Sequence, residues 1–161
     1  MHLNYCDTSS SPSRPFYLSL FRVIALQVLV LVATGCFAQG EVNRITLQPS
    51  IDLPTQLVAE VDILLVYDSS IMTQLPFTQF EWISNRQSFI ELFSGNMDVL
   101  HFTIAAGDEP IQVELPMRAE NAAGILVFSS HEDPVAEAVD ISFERDALLV
   151  VEAYGINVVP N

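Results

Sequence analysis

Apolar and polar positions alternate along much of the chain with the period of a β-strand. In residues 57–68 (LVAEVDILLVYD) every second position is apolar, while Glu60 and Asp62 fall on the other face. This pattern is typical of a half-buried strand. Leu64 and Val66 interrupt the polar face, so we expect the second half of this strand to be covered on both sides.

Other segments predict further short strands. Prolines 49 and 54 bracket a loop, since proline cannot donate to a strand ladder, and residues 106–110 (AGDEP) predict a turn. About seven or eight strands at this spacing predict a mainly β fold, a two-sheet β-sandwich. Besides residues 57–68, the predicted strands are residues 42–48, 98–105, 111–115, 124–130, 139–143, 147–153 and 156–159.

One helix is predicted between the second and third strands, over residues 79–93. Thr78 and Glu81 have the spacing of a capping box, and Gly95 offers a left-handed stop. Trp82 lies beside the apolar stripe of this helix and Arg86 lies opposite much of it. We expect the helix to lie on the sheet through that stripe, formed by Phe80, Ile83, Phe89, Ile90 and Phe93.

The N-terminal region has the pattern of an export signal. Arg14 and Arg22 precede residues 23–35 (VIALQVLVLVATG), which are almost wholly apolar. A spanning helix needs roughly 20 apolar residues, whereas this shorter run has the length of a signal-peptide core. We therefore expect residues 1–35 to be a lipoprotein-type signal peptide.

The cleavage position has alternative interpretations. The sequence Ala33-Thr34-Gly35-Cys36 resembles a bacterial lipobox, in which the cysteine is acylated and becomes the first residue. Ordinary signal peptidase could instead cut after Ala38, and a retained anchor helix is a third alternative. Acylation explains a lone cysteine in an exported chain, because Cys6, the other cysteine, lies in the removed part.

The lipoprotein interpretation divides the chain into three parts. Residues 36–41 become a lipidated tether, and residues 42–161 form the sandwich domain. Phe37 follows Cys36 where inner-membrane lipoproteins commonly have aspartate. By this resemblance, we expect the periplasmic face of the outer membrane.

Composition and charge narrow the classes of partner. The chain has 161 residues, of which 50% are hydrophobic, and a mean hydropathy of +0.37, which suits one domain with a sizeable core. Twenty acidic residues against six arginines and no lysine give a net charge of −14. This charge repels a phosphate backbone and argues against nucleic-acid binding. It favours a basic partner, although adaptation to a salty environment is an equal alternative.

No catalytic constellation is evident in the sequence. His101 falls on the strand face opposite Leu100 and Phe102, where a solvent-facing or hydrogen-bonded histidine is expected. The cluster His131-Glu132-Asp133 has ligand-type side chains, but consecutive residues point in different directions, and metal ligation needs convergence from several segments. Trp82 and the helix aromatics could line a ligand pocket, but core packing is the favoured interpretation. We predict no enzymatic activity, no cofactor and no metal site.

The order and texture of these segments resemble a known family. A lipobox cysteine precedes a strand that ends Leu65-Val66-Tyr67-Asp68, and an aromatic helical segment follows at residues 77–93. Residues 104–108 (IAAGD) then lead into strand 111–115, and residues 124–128 (GILVF) match the next buried strand. Over residues 42–159 the chain resembles the outer-membrane lipoprotein subunit of type VI secretion systems, the TssJ or VasD family.

This resemblance implies a function. The family has a transthyretin-like sandwich, held in the outer membrane by lipid, that anchors the periplasmic domain of an inner-membrane subunit. It makes that contact through the loop between its first two strands, which here is residues 49–56 (PSIDLPTQ), shorter than usual and without the usual Asn-Pro-Asp and Gly-Arg-Pro texture. The partner-contacting residues so implied are Ser50, Ile51, Asp52, Leu53 and Thr55.

The expected function is therefore a non-catalytic outer-membrane lipoprotein, bound to lipid through acylated Cys36. The alternative is a periplasmic lipoprotein that binds a small molecule or metal and has no role in secretion.

Overall fold

The computed structural model describes residues 42–130 and 135–160. All described residues belong to one compact unit. The expected signal peptide, its cleavage position, the lipidated tether and the cluster His131-Glu132-Asp133 lie outside the described residues.

Within the described ranges, eight strands form two four-stranded sheets, which confirms the predicted mainly β sandwich. The first sheet has the order β4-β1-β7-β8, in which β1 and β7 are parallel, and the second has the order β3-β2-β5-β6 with antiparallel neighbours. The strands are β1 (Arg44–Pro49), β2 (Val58–Val66), β3 (Met97–Ala105), β4 (Ile111–Gln112), β5 (Gly124–Ser129), β6 (Val139–Asp140), β7 (Asp146–Val151) and β8 (Ile156–Pro160).

The described helices lie in the connections. Helix α1 (Ser69–Met72) and helix α2 (Gln79–Leu92) both fall between β2 and β3, and a 3-10 turn spans Ala119–Asn121. Only α2 was predicted, and Thr78 is its N-cap as the sequence indicated, since the Thr78 side chain accepts from the Glu81 N–H. The Asp68 side chain caps α1 by accepting from the Ser70 N–H at 2.9 Å. Four residues carry too little periodicity for the sequence to reveal α1.

Two apolar cores lie on opposite faces of the second sheet. Alternate residues of β2 pack between the sheets against β1 and β7, and the intervening residues pack beneath the helices, so the second half of β2 is covered on both sides as predicted. The first core includes Ala59, Val61, Ile63, Leu65, Ile45, Leu47 and Leu149. The second includes Leu64, Val66, Leu126, Phe128, Trp82, Phe93 and Met97.

Helix α2 is rotated relative to the prediction. Phe80 and Ile83, predicted to face the sheet, are 62% and 46% exposed, whereas Trp82 is fully buried and stacks on Phe128 with ring centroids 5.1 Å apart. Arg86, predicted to lie opposite the stripe, instead reaches the carboxylate of Asp62 on β2. The prediction was wrong for Phe80, Ile83 and Arg86, because apolar periodicity ignores the polar group that the sheet presents. The rest of the stripe packs on the sheet as predicted, since Phe93 is buried and Phe89 and Ile90 lie against the same core. The Trp82 N–H needs an acceptor when it is buried, and Asp62 supplies one.

Two alanine substitutions test this rotation. We expect Trp82→Ala to lower the free energy of unfolding by roughly 3–5 kcal/mol, because it empties a packed site. We expect Phe80→Ala, on the exposed face of the same helix, to cost less than about 1 kcal/mol. Urea denaturation measures both, and equal losses would mean that the helix faces the sheet as the periodicity suggests.

Candidate docking end of the sandwich

One end of the sandwich gathers three connections. The loop of residues 50–57 leaves β1 beside the end of β7, since Pro49 is paired with Val151. The turn of residues 152–155 joins β7 to β8 at the same place, and the turn of residues 106–110 leaves β3 where Ala105 pairs with the first residue of β2. We call this surface, formed by residues 50–57, 106–110 and 152–155, the β1–β2 end.

The β1–β2 loop is held by its own backbone. The Ser50 N–H donates to the Val151 carbonyl at 2.8 Å, the Leu53 N–H donates to the Ser50 carbonyl at 3.1 Å, and the Leu57 N–H donates to the Pro54 carbonyl at 2.9 Å. The side chain of Leu53 is 4% exposed and packs into the domain, whereas that of Ile51 is 98% exposed. The loop thus presents an apolar side chain to solvent from a fixed backbone.

A shallow depression of about 450 Å³ lies between this loop and the β3–β4 turn. Four of the five residues implied by the family resemblance line it, namely Ser50, Ile51, Leu53 and Thr55. Asp52, the fifth, is exposed on the same loop, and its N–H donates to the Ser50 hydroxyl at 3.3 Å. The structure therefore brings the predicted residues together at one surface.

The β3–β4 turn is the part of this surface that sequence reasoning missed. Gly107 has a φ of +84°, and the Asp108 carboxylate accepts the Ala105 N–H at 2.7 Å, so the turn has a defined shape. The sequence predicted the turn itself. Which loop the turn contacts depends on how the chain passes from the second sheet to the first, and a local sequence pattern does not reveal this.

The β1–β2 end is acidic. Its exposed residues include Asp52, Asp108, Glu109 and Glu152, beside the exposed apolar side chains of Ile51 and Tyr154. The arginines of the described residues lie elsewhere, because Arg44 begins β1, Arg145 precedes β7, Arg118 lies before β5 and Arg86 is on α2. This charge favours a cationic partner surface.

A buried carboxylate joins three elements on the other face of the second sheet. Asp62 on β2 accepts from the Trp82 indole N–H at 2.8 Å, and its other oxygen lies 2.7 Å from Nδ1 of His101 on β3. The Arg86 Nε lies 3.3 Å from the same carboxylate. Since a carboxylate only accepts, His101 contributes its Nδ1 proton, and the hydrogen-bonded strand histidine allowed by the sequence is observed. This cluster fixes helix α2 on the sheet.

A second polar cluster lies toward the opposite end. The Tyr67 hydroxyl donates to Asp98 at 2.7 Å, and Arg118 donates to both carboxylate oxygens of Asp98 and to the Gly95 carbonyl at 3.0 Å. The Arg118 guanidinium also stacks over the Tyr67 ring, 4.1 Å from its centroid. Together these contacts tie the segment before β5 to β2 and β3.

The pKa values of this cluster are shifted in opposite directions. Burial raises the pKa of Tyr67 to about 12, and the hydrogen bond to Asp98 and its negative charge act in the same direction. The hydrogen bonds from Arg118 lower the pKa of the Asp98 carboxyl, assisted by the bond from Tyr67. The cluster is therefore a neutral phenol and a carboxylate held by one guanidinium.

Two observations bear on the alternative of a metal or small-molecule site. Residues 42–130 and 135–160 contain no group of three or more histidine, cysteine or acidic side chains that could hold a metal ion. Trp82 is fully buried between Phe128 and Phe89, which fits core packing rather than the wall of a ligand pocket. Within the same part of the chain, no helix has the length and apolar character needed to cross a membrane.

Sequence comparison finds no matching family profile and no matching curated protein. Comparison of the fold finds solved structures. Lip from Serratia marcescens, a membrane-bound component of the type VI secretion system, matches with a TM-score of 0.51 and 11% identity. The lipoprotein TssJ1 of the Pseudomonas aeruginosa type VI system matches with a TM-score of 0.50 and 17% identity, and a chain of a type VI membrane complex with 0.54 and 14%.

The chain has the fold of type VI secretion lipoproteins. Each match covers 73% of this chain and between 94% and 96% of the solved chain, so the likeness spans nearly the whole solved domain. The predicted resemblance to a divergent TssJ-like lipoprotein is confirmed at the level of the fold. The sequence identities to these solved chains are only 11–17%, which explains why the sequence comparisons find no match.

The Tyr67 cluster predicts a loss of stability in alkali. A folded-state pKa near 12 against the ordinary value of 10.0 means that the stabilisation is complete below pH 10 and is lost as pH rises through about 12. Ultraviolet titration of tyrosinate should show a step near pH 12 that Tyr67→Phe removes and that Asp98→Asn moves downward. Ionisation of Tyr67 near pH 10 would contradict the geometry of this cluster.

Proposed function

We propose that this protein is a non-catalytic lipoprotein subunit of a type VI secretion membrane complex. In this role it is tethered to the outer membrane through acylated Cys36 and holds the periplasmic domain of an inner-membrane subunit at its β1–β2 end. The observation that carries the proposal is the likeness in fold to Lip and TssJ1, which extends over almost the full length of those chains.

The position at which the chain enters the domain supports an orientation with the β1–β2 end facing away from the membrane. The Asn43 N–H donates to the Arg145 carbonyl at 2.8 Å, so β1 begins at the end of the sandwich opposite the β1–β2 loop. The tether of residues 36–41 would span at most about 20 Å when fully extended. An anchor at Cys36 therefore keeps the entry end near the bilayer and directs the β1–β2 end toward the periplasm.

The chemistry of the β1–β2 end supports a protein partner. Ile51 offers an exposed apolar side chain on a fixed loop, with Ser50, Asp52 and Thr55 as polar neighbours and Leu53 as the buried support. Apolar anchors surrounded by polar groups are typical of protein interfaces. The acidic residues around them favour a partner surface rich in arginine or lysine.

Replacement of Cys36 tests the lipid anchor. We expect radiolabelled palmitate to mark the wild-type protein and Cys6→Ser but not Cys36→Ser, because only Cys36 occupies the lipobox position. The Cys36→Ser variant should also be lost from the outer-membrane fraction, and secretion should be abolished. A processed wild-type chain that begins at Gln39 and carries no lipid would refute the anchoring role.

A pair of charge insertions tests the docking end. Ile51 and Met117 are both 98% exposed, but Met117 lies in the segment before β5 at the opposite end. We expect Ile51→Lys to weaken binding of the partner's periplasmic domain at least about tenfold, which corresponds to roughly 1.4 kcal/mol, because it removes the apolar anchor and repels a cationic surface. We expect Met117→Lys to leave binding unchanged. Calorimetric titration measures both, and equal binding by the two variants would move the docking surface elsewhere.

A further inference from the structure

Strand β3 forms an open edge of the second sheet. It runs for nine residues, Met97–Ala105, and pairs along its whole length with β2 on one side. In the sheet order β3-β2-β5-β6, no strand of residues 42–130 or 135–160 lies on the other side. The remaining sheet edges are shorter, since β4 and β6 have two residues each and β8 has five.

The register shows which backbone groups point away from β2. The Ala105 N–H donates to the Asp108 side chain and the Ala105 carbonyl accepts from the Asp108 N–H, so both groups of Ala105 face outward. Because the direction alternates along a strand, Thr103, His101 and Val99 also point outward. Among the described residues, these three have no backbone hydrogen-bond partner on that side.

Three protections that natural edge strands commonly carry are missing from this edge. Residues 97–105 (MDVLHFTIA) contain no proline and no lysine, and the pairing with β2 continues residue by residue without a bulge. Leu100 and Phe102 are only partly buried against the core between the sheets. An added strand would complete the ladder and cover these two side chains.

The negative charge near strand β3 indicates which kind of segment would bind at its edge. Glu60 lies opposite Thr103 in the register and is exposed, and Asp108 and Glu109 follow at the same end of β3. Asp98, at the other end, is already neutralised by Arg118. The whole chain carries a net charge of −14, so a second copy would be repelled and a cationic strand attracted.

We propose that the outer edge of β3 is a second interaction surface, which accepts an extended cationic segment of another protein by strand addition. The segment hydrogen-bonds to the outward groups of Val99, His101 and Thr103, and its positive side chains lie near Glu60 and Asp108. This surface runs along the side of the sandwich and meets the β1–β2 end at Asp108, whereas the backbone groups of Val99, His101 and Thr103 lie outside that end.

Amide hydrogen exchange with a model peptide tests the proposal. The probe is a capped heptapeptide of alternating lysine and valine, and the controls are the same peptide with glutamate for lysine and a version N-methylated at alternate residues. We expect the lysine peptide to slow exchange of the Val99, His101 and Thr103 amides at least about tenfold. Both controls should leave these amides unprotected, since one reverses the charge and the other removes the hydrogen bonds.

Two substitutions at one position separate backbone from side-chain recognition. Thr103→Pro removes an outward N–H without removing a bond to β2, a position at which an edge strand tolerates proline. Thr103→Ala keeps that N–H. We expect the proline variant to lose protection by the lysine peptide and the alanine variant to retain it, while slow exchange of the β2 and β5 amides reports that both are folded.

Three results would overturn this inference. The first is absence of protection by the lysine peptide at concentrations up to about 5 mM, far above the range of specific complexes. The second is equal protection by the N-methylated peptide, which would exclude strand addition. The third is protection of the three amides in the free protein, which would assign the edge to a second copy if it depends on concentration and to this chain's own residues if it does not.

Discussion

Strand β2 must be covered on both of its faces, and the rest of the domain is arranged to do so. Its alternate residues fill the core between the sheets, and its remaining apolar residues need a second layer. The chain supplies that layer from the connection between β2 and β3, where α1 and α2 lie on the sheet. The helices are therefore as necessary to the burial of β2 as the first sheet is, because an uncovered face of β2 would leave Leu64 and Val66 in water.

The carboxylate of Asp62 determines how that layer sits. It is a charge within an otherwise apolar region, and its desolvation is offset only because Trp82, Arg86 and His101 all meet it. Such a cluster is weak evidence for added stability, since buried ion pairs often exchange with apolar residues at little cost. Its effect here is geometric. A helix turned by one residue would leave the carboxylate and the indole N–H without partners.

The rigid body of the sandwich separates two kinds of surface. Loops at the β1–β2 end form a compact acidic patch around Ile51, whereas the edge of β3 offers backbone groups along a line. Loop surfaces recognise a folded partner through side chains, and an open edge recognises an extended one through the ladder. A negatively charged body suits both, because it attracts cationic partners and discourages contact between copies of itself.

The sequence by itself determined the strands and the long helix, because alternation, proline positions and the Thr78 capping box are local signals. It also determined the chain's charge, and the family resemblance predicts partner contacts at the loop after β1. The tertiary structure decided which face of α2 is inward, since Trp82 and Arg86 follow a carboxylate presented by a strand some twenty residues earlier along the chain. It also decided that the β3–β4 turn meets the β1–β2 loop and that β3 is an edge strand within the described part of the chain, because both depend on strand order, which no local pattern contains.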